Sequence, residues 1–290
     1  MTDEGLRVSV IIATYRRERV LCDTIRDVLA DPYEPKEVLV VDQTYDHTDP
    51  TRRFLEEVCD RIRYIVMDHP NLTEAENLGI TEAQGEIILF LDDDVSFEPG
   101  LIGAHVRNYA DASVHAVGGV VLVPGRRGVR RMSRTVTGNR FGYFFFRHDY
   151  VGGRVKVPNL QECNASFRRR ALVDIGLIDR RFRENAYLWG TDLAVRVAKR
   201  GGRIVHDPEA VVVHLKHPSG GVRMKAVRPL SYFRNLFYFL KKHAGRHETF
   251  SVALRVYFYR VLVEGWRRPW VIPLNTKTFL QAWLIERAGS

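Results

Sequence analysis

Cysteine is scarce in this chain, and long apolar runs are missing. The three cysteines, Cys22, Cys59 and Cys163, form no CxxC pair and are odd in number. That excludes a disulfide framework and points to a reducing compartment. No stretch reaches the roughly 18 uncharged apolar residues of a spanning helix, so no transmembrane segment is expected. The N-terminus, Met1 to Arg7, has no apolar signal region, and the first apolar run, Val8 to Ala13, is too short for secretion. A cytoplasmic protein is the expectation. Internal repeats and low-complexity tracts are absent too. What remains is an ordinary globular composition, 45% hydrophobic and 27% charged, in 290 residues. That length suits one large domain or a domain with an extension.

Charge of one sign is concentrated at one end. The net charge is +9, yet from Lys216 onward there are 14 Lys and Arg against 3 Asp and Glu. The first 215 residues are slightly acidic. A negatively charged partner is therefore expected for the tail rather than for the whole protein.

The most informative stretch is Ile87-Ile88-Leu89-Phe90-Leu91-Asp92-Asp93-Asp94. Five apolar residues in a row fit a strand buried on both faces of a parallel sheet. The three acids that follow need a cation if they are buried, because an unpaired buried charge is very costly. A hard divalent metal beside a diphosphate would supply it; a solvated acidic turn is the alternative. Ligands of open α/β sheets sit beyond the carboxyl ends of strands, where this run ends.

The same logic extends along the chain. Val8 to Ala13 and Glu37 to Val41 read as buried strands, the second followed by Asp42. A helix with Leu21, Ile25, Val28 and Leu29 on one face lies between them. Further helices are predicted around 51–60 and 73–84, the latter stopped by Gly85, with a strand over 62–67. Strand and helix alternate, so residues 1–110 read as a doubly wound, Rossmann-like nucleotide-binding half. Beyond it, Val114 to Val123 is a strand, Pro124 to Asn139 a lid-like loop, and Phe141 to Phe146 an aromatic strand or substrate wall. The segment 157–167 leads to Arg168-Arg169-Arg170 and a short helix at 171–175; a longer helix at about 191–199 and two short strands at 203–208 and 210–214 complete the reading.

Seven fragments in this order resemble family 2 glycosyltransferases: 8–15, Val-Val-Asp at 40–42, Asn77-x-Gly79, the run 85–94, Asn164-x-Ser-Phe-Arg-Arg169, Thr-Asp-Leu at 191–193, and Pro208 with His214. The resemblance spans about 7 to 216. It implies a GT-A type α/β fold with a mostly parallel central sheet flanked by helices, a catalytic domain over 1–216 whose acceptor half is 111–216, and a helical extension over 217–290. It implies inverting transfer of a sugar from a nucleotide-diphosphate donor to a hydroxyl of a glycan or lipid-linked acceptor. It also implies Mg²⁺ or Mn²⁺ on Asp94 and Asp92, with His214 a further ligand or a structural histidine. Ala13, Thr14, Tyr15, Asp42, Asn77, Asp92 and Asp93 would face the donor, with a helix N-cap as the other role for Asp42. Asn164, Ser166 and Trp189 would lie on the sugar and acceptor side.

The family commonly carries an acidic pair just before Thr-Asp-Leu, one of which removes the acceptor proton. Here those places hold Trp189 and Gly190. Asp192 is the candidate base, or a helix cap and partner of Arg196; Glu184 is the other candidate. Gln43 and Glu76 also replace commoner Asp and Arg. A non-catalytic nucleotide-sugar binder that lost its base is the competing expectation. The tail carries 13 of the chain's 31 aromatic residues. Leu230, Phe233, Phe237 and Leu240, then Val252, Val256, Tyr259 and Val263, form helical stripes, with Arg234, Lys241, Lys242, Arg255 and Arg260 off them. Trp266-Arg-Arg-Pro-Trp270 follows. These fit helices lying on the inner face of an anionic membrane, or packing on the catalytic domain. Nucleic acid is not expected, since the aromatics share stripes with aliphatics rather than forming a base-stacking face.

Overall fold

A computed structural model describes residues 5–130, 147–221, 230–244, 246–263, 265–266 and 268–288. Four strands, β1 (Val8–Thr14), β2 (Lys36–Asp42), β3 (Arg63–Val66) and β4 (Ile87–Leu91), pair in parallel in the order β3-β2-β1-β4. Helices α1 (Arg19–Ala30), α2 (Asp49–Glu57) and α3 (Leu72–Glu82) make the crossovers. Side chains alternate between the faces of a strand. Ile11, Leu39, Ile88 and Phe90 join one core, while Val10, Ile12, Val38, Val40, Leu89 and Leu91 join the other. Both faces are covered, which is why these strands read as unbroken apolar runs.

The second half departs from a parallel sheet. It contains β5 (Val95–Ser96), β6 (Val114–Leu122), β7 (Val155–Lys156), β8 (Asn164–Arg168) and β9 (Arg203–His214). Strand β8 runs antiparallel between β4 and β6, and β6 pairs with β9 in parallel. Short β5 and β7 each lie antiparallel to β9. The helices here are α4 (Leu101–Val106), α5 (Arg169–Asp174) and α6 (Trp189–Lys199). The two strands expected at 203–208 and 210–214 are one, β9. Its register against β6 skips from Asp207 to Val211 between Gly119 and Val120. The skip falls at Pro208, which has no N–H for the ladder. Gly119 makes room, since a Cβ there would lie 2.2 Å from both the Ala210 carbonyl oxygen and Asn164 Nδ2.

The tail forms α7 (Leu230–His243), α8 (Arg246–Val256), a π-helical turn (Tyr257–Val263) and α9 (Val271–Ala288). Tyr232, Phe233, Leu236, Phe237, Phe239 and Leu240 are buried in the same core as Ile11, Phe90 and Trp189. The stripe on α7 therefore packs on the sheet side of the molecule. Among the described residues, no helix is long and apolar enough to cross a membrane. The lid expected over 124–139 is described only to residue 130. The aromatic stretch Phe141–Phe146, Arg267, and the side chains of Arg255, Tyr259 and Arg260 lie outside the described residues.

Candidate active site

The carboxyl ends of β1, β2 and β4 meet the end of β9, because β5 pairs Val95 with His214 and so draws β9 back beside the acids. The three acids have three different environments. Asp93 is buried and accepts hydrogen bonds from Thr14 Oγ1 at 2.7 Å and Arg17 Nε at 3.0 Å. Burial still pushes its carboxyl up to about 7, against the pull of Arg17 and Thr14. Asp94 is also buried, with Oδ2 taking Arg17 Nη2 at 3.1 Å and the His217 amide at 2.9 Å. Its Oδ1 lies 3.1 Å from His214 Nε2. Burial raises the Asp94 pKa but is outweighed by His214 and Arg17, leaving it below the usual carboxylate value. Asp92 keeps 42% of its side chain exposed, with Oδ2 3.6 Å from the same His214 nitrogen.

Arg17 was not foreseen. Its guanidinium is almost buried, bridges Asp93 and Asp94, and also donates to the carbonyls of His217 and Ser219. The cation that the buried acids require is thus partly internal. Only its place three residues beyond β1 could have suggested this. The loop that closes over it includes Gly221, whose amide donates to the Tyr15 carbonyl at 2.8 Å.

The remaining candidates separate into those near the cleft and those locked in the scaffold. Ala13 is half-buried and Thr14 buried at the end of β1, with half-buried Tyr15 following. Asp42 is fully buried and caps no helix; the N-cap of α2 is Thr48. One carboxylate oxygen of Asp42 accepts the Thr44 amide at 2.7 Å, and the other meets His47 Nε2 at 2.7 Å and the Tyr64 hydroxyl at 2.9 Å. Its capacity for a nucleotide base is largely used. Asn77 is buried, its amide exchanging two 2.9 Å hydrogen bonds with the backbone of Ile178. It pins α3 to the segment after α5.

Asn164, Ser166 and Trp189, expected on the sugar side, lie in the interior. Asn164 and Ser166 are fully buried on the α4 face of β8. Asn164 Nδ2 donates to the Val120 and Ala210 carbonyls, and its Oδ1 lies 2.8 Å from His105 Nε2. His105 Nδ1 lies 2.9 Å from Ser166 Oγ, which Tyr109 approaches at 2.8 Å. A neutral His105 donating from Nε2 and accepting at Nδ1 satisfies this chain. Burial lowers its pKa to about 4, which keeps it neutral. Trp189 is 2% exposed and meets Phe90 edge-on at 5.4 Å. Alternation along β8 explains the result: its odd-numbered residues Ala165 and Phe167 face the core that holds Trp189.

The two candidate bases stand in different settings. Asp192 is fully buried and meets three side chains, the cations Arg196 Nε and Lys242 Nζ and the ring nitrogen His243 Nε2, each at 2.7 Å. These partners hold its carboxyl below the usual value against the effect of burial. It ties α6 to α7. Glu184 is exposed, at positive φ, and accepts a hydrogen bond from Ser231. It lines a crevice with Arg181, Arg183 and Arg234.

A profile of Glycosyl transferase family 2 matches residues 9–176, more than half of the sequence. This chain is a family 2 glycosyltransferase. The glucosyl-dolichyl phosphate glucuronosyltransferase of Haloferax volcanii is 26% identical over 219 residues, 72% of this chain and 69% of its own length. An uncharacterized glycosyltransferase of Bacillus subtilis, YwdF, is 26% identical over 217 residues, covering 74% and 76%. Among solved structures, the Pyrobaculum calidifontis mannosyltransferase PcManGT in complex with GDP-Man and Mn²⁺ superposes with a TM-score of 0.60 at 21% identity, over 99% of this chain and 77% of that one. Residues 1–349 of Staphylococcus aureus TarS give 0.62 at 15% identity, over 96% and 81%. The fold is shared with both.

Two further acids lie by the glycosyltransferase's cleft: Glu76, marked in the sequence only as a departure from the family pattern, and Glu162, which carried no sequence signal. Glu76 on α3 is 5% exposed, and its Oε2 is buried without a hydrogen-bond partner. Burial, reinforced by Asp92, Glu162 and Asp93, holds its carboxyl well above the usual value. Glu162, two residues before β8, is half-buried, and burial with Asp92 nearby pushes its carboxyl up to about 7. Cys163 also lies near Asp92 and His214. Burial raises its thiol far above the ordinary range, so it stays protonated and is a poor partner for a hard cation. Asp92, Cys163 and His214 each offer a donor atom within 4.8 Å of one another, and Asp94 Oδ1 lies 3.1 Å from His214 Nε2; the carboxylate oxygens and the imidazole are donors that suit Mg²⁺ or Mn²⁺.

Proposed function

We propose that this glycosyltransferase is a divalent-metal-dependent, inverting enzyme that moves a sugar from a nucleotide diphosphate to a hydroxyl of a glycan or lipid-linked acceptor. One observation carries the reading. The carboxylates of Asp92 and Asp94 converge on His214 Nε2, at 3.6 and 3.1 Å, beyond the end of the central strand β4. Asp92, Asp94 and His214 would hold the cation. Bound there, Mg²⁺ or Mn²⁺ would offset charge on the leaving diphosphate. Thr14, by fixing Asp93, and Arg17, by fixing Asp93 and Asp94, position these acids. The half-buried backbone of Ala13 and Tyr15 borders the place for the nucleotide.

Residues 1–216 would form the catalytic domain and 217–290 an accessory element. The Haloferax volcanii relative acts on a glucosyl-dolichyl phosphate, as its name states. A lipid-linked acceptor fits the exposed face of the tail. Phe258, Trp266, Trp270, Leu274, Leu280 and Leu284 are between 49% and 83% exposed there, in a segment rich in Lys and Arg. Exposed aromatic and aliphatic groups in a basic segment suit the headgroup region of an anionic bilayer, on the cytoplasmic face.

The test is a thermal-shift screen of UDP, GDP and other nucleoside diphosphates, each with and without Mn²⁺. A ligand that binds only the folded state raises the melting temperature by mass action. One nucleotide should stabilise the protein in the presence of metal and lose that effect in Asp92→Asn and Asp94→Asn. Absence of a metal-dependent shift across the panel refutes the reading.

A further inference from the structure

The cleft holds a carboxylate that the other elements leave unclaimed. Asp192 is tied to Arg196, Lys242 and His243 and is inaccessible. Glu184 is held by Ser231 in the arginine-lined crevice. Glu76 is nearly inaccessible, and burial holds its carboxyl well above the usual carboxylate range. Glu162 differs from all three. The residue is half-buried, and no other side chain hydrogen-bonds to it among the described residues.

The sheet places it where chemistry would need it. Strand β8 pairs Asn164 with Leu91, the last residue of β4, so the segment just before β8 emerges beside Asp92. Glu162 feels both Asp92 and His214 electrostatically. Its carboxyl also fills the space over Gly190 at the start of α6: a Cβ at 190 would lie 2.8 Å from Glu162 Oε2 and 3.3 Å from its carboxyl carbon. Any side chain at 190 would displace this carboxylate. The missing side chain and the glutamate are two halves of one arrangement.

We propose that Glu162 is the general base of the transfer, using the space that Gly190 leaves open. The step rests on the glycosyltransferase reading above. The acceptor oxygen forms a bond to the anomeric carbon while the bond from that carbon to the diphosphate oxygen breaks. The electron pair of the broken bond leaves with the diphosphate. The acceptor's proton passes to the Glu162 carboxylate, which later releases it to water.

The experiment uses the full chain and a panel of donors: UDP-glucose, UDP-glucuronic acid, UDP-N-acetylglucosamine and GDP-mannose. Release of nucleoside diphosphate is followed with water as the nucleophile, then with sodium azide. Binding of the matching nucleoside diphosphate with Mn²⁺ is measured in parallel. Glu162→Gln and Glu162→Ala should bind within about threefold of wild type but turn over about 100-fold or more slowly, the usual scale of general-base catalysis. Azide has no proton to lose, so it should restore turnover in Glu162→Ala, giving the glycosyl azide, and leave wild type unaccelerated. Wild-type turnover in Glu162→Gln overturns the proposal and leaves the glycosyltransferase reading standing. So does an Glu162→Ala enzyme that binds normally but gains nothing from azide. If both variants lose nucleotide binding, Glu162 is part of the scaffold and the proposal falls. A wild type that neither binds nor turns over any donor refutes the underlying reading, and this one with it.

Discussion

Replacing Asp192 by Asn should damage stability and leave chemistry intact. The carboxylate is fully buried, and its partners are unequally provided for. Lys242 also reaches Asp179 at 2.7 Å, and His243 also lies 3.2 Å from Lys199. Arg196 has little else: its Nη1 donates to the Ile175 carbonyl, and its Nη2 is buried without a partner. Removing one member of a buried ion pair costs about 3–5 kcal/mol, because the other charge is left uncompensated. The surviving contacts of Lys242 and His243 place Asp192→Asn near the lower end, about 3 kcal/mol. For a domain of this size that is roughly 6–12 °C in melting temperature. The pH dependence has a definite sign. The folded pKa of Asp192 is depressed, so its contribution is complete above the ordinary Asp value of about 3.9 and fades as pH falls through the folded value. The gap between wild type and variant should be widest near neutrality and narrow in acid. The assay is thermal unfolding at several pH values, with donor turnover normalised to folded protein at low temperature. An unchanged melting temperature with turnover abolished would restore Asp192 as the base and undo the ion-cluster argument.

Four further outcomes are expected. Gly119→Ala should destabilise by about 1–3 kcal/mol, the usual cost of overpacking, because the new methyl meets the Ala210 carbonyl and Asn164; a denaturant midpoint equal to wild type would show that the bulge yields freely. His47→Gln should lose stability mainly on the acid side of the wild-type curve. The folded His47 pKa is raised by Asp42, so its contribution is full below about 6.5 and disappears as pH rises through the folded value; equal loss at pH 6 and pH 9 would contradict this. Glu76→Gln should gain on wild type as pH rises above the ordinary Glu value, since a carboxyl with a raised folded pKa weakens the fold when solution conditions favour its ionisation; melting curves at pH 5 and 8 decide it. Changing Trp266 and Trp270 together to Ser should release the protein from vesicles containing phosphatidylserine without lowering its melting temperature, as both are well exposed; unchanged co-sedimentation would remove the bilayer from the tail's role.

The parallel half was legible because it obeys local rules. Buried strands read as apolar runs, and α1 shows its inward face in Leu21, Ile25 and Val28. Asp92 and Asp94 were legible for the same reason, since a strand's end is fixed by where its apolar run stops. The second half was harder because its partners are distant in sequence. Whether Asn164 faces a sugar or the core depends on which side of β8 takes the even-numbered residues, and only the pairing of β8 between β4 and β6 decides that. A one-residue change of register would turn Asn164 and Ser166 toward Trp189 and send Ala165 and Phe167 to α4.

The carboxylates carry the same lesson into function. In sequence, Asp192 and Glu184 stand nearest the departing acidic pair, and proximity along the chain made them the candidates. In space, α7 brings Lys242 and His243 onto Asp192, and Ser231 onto Glu184. Those residues lie about fifty positions downstream, in a tail whose charge had suggested a partner outside the molecule. Part of that positive charge is spent inside, on Asp179, Asp192 and Glu286. The carboxylate beside Gly190 comes instead from residue 162, across the sheet. A proton acceptor is defined by reach and by freedom from other partners, and neither property is written in the order of residues. Glycine at 190 was the visible half of the signal: an empty position beside a cleft implies that something else fills it.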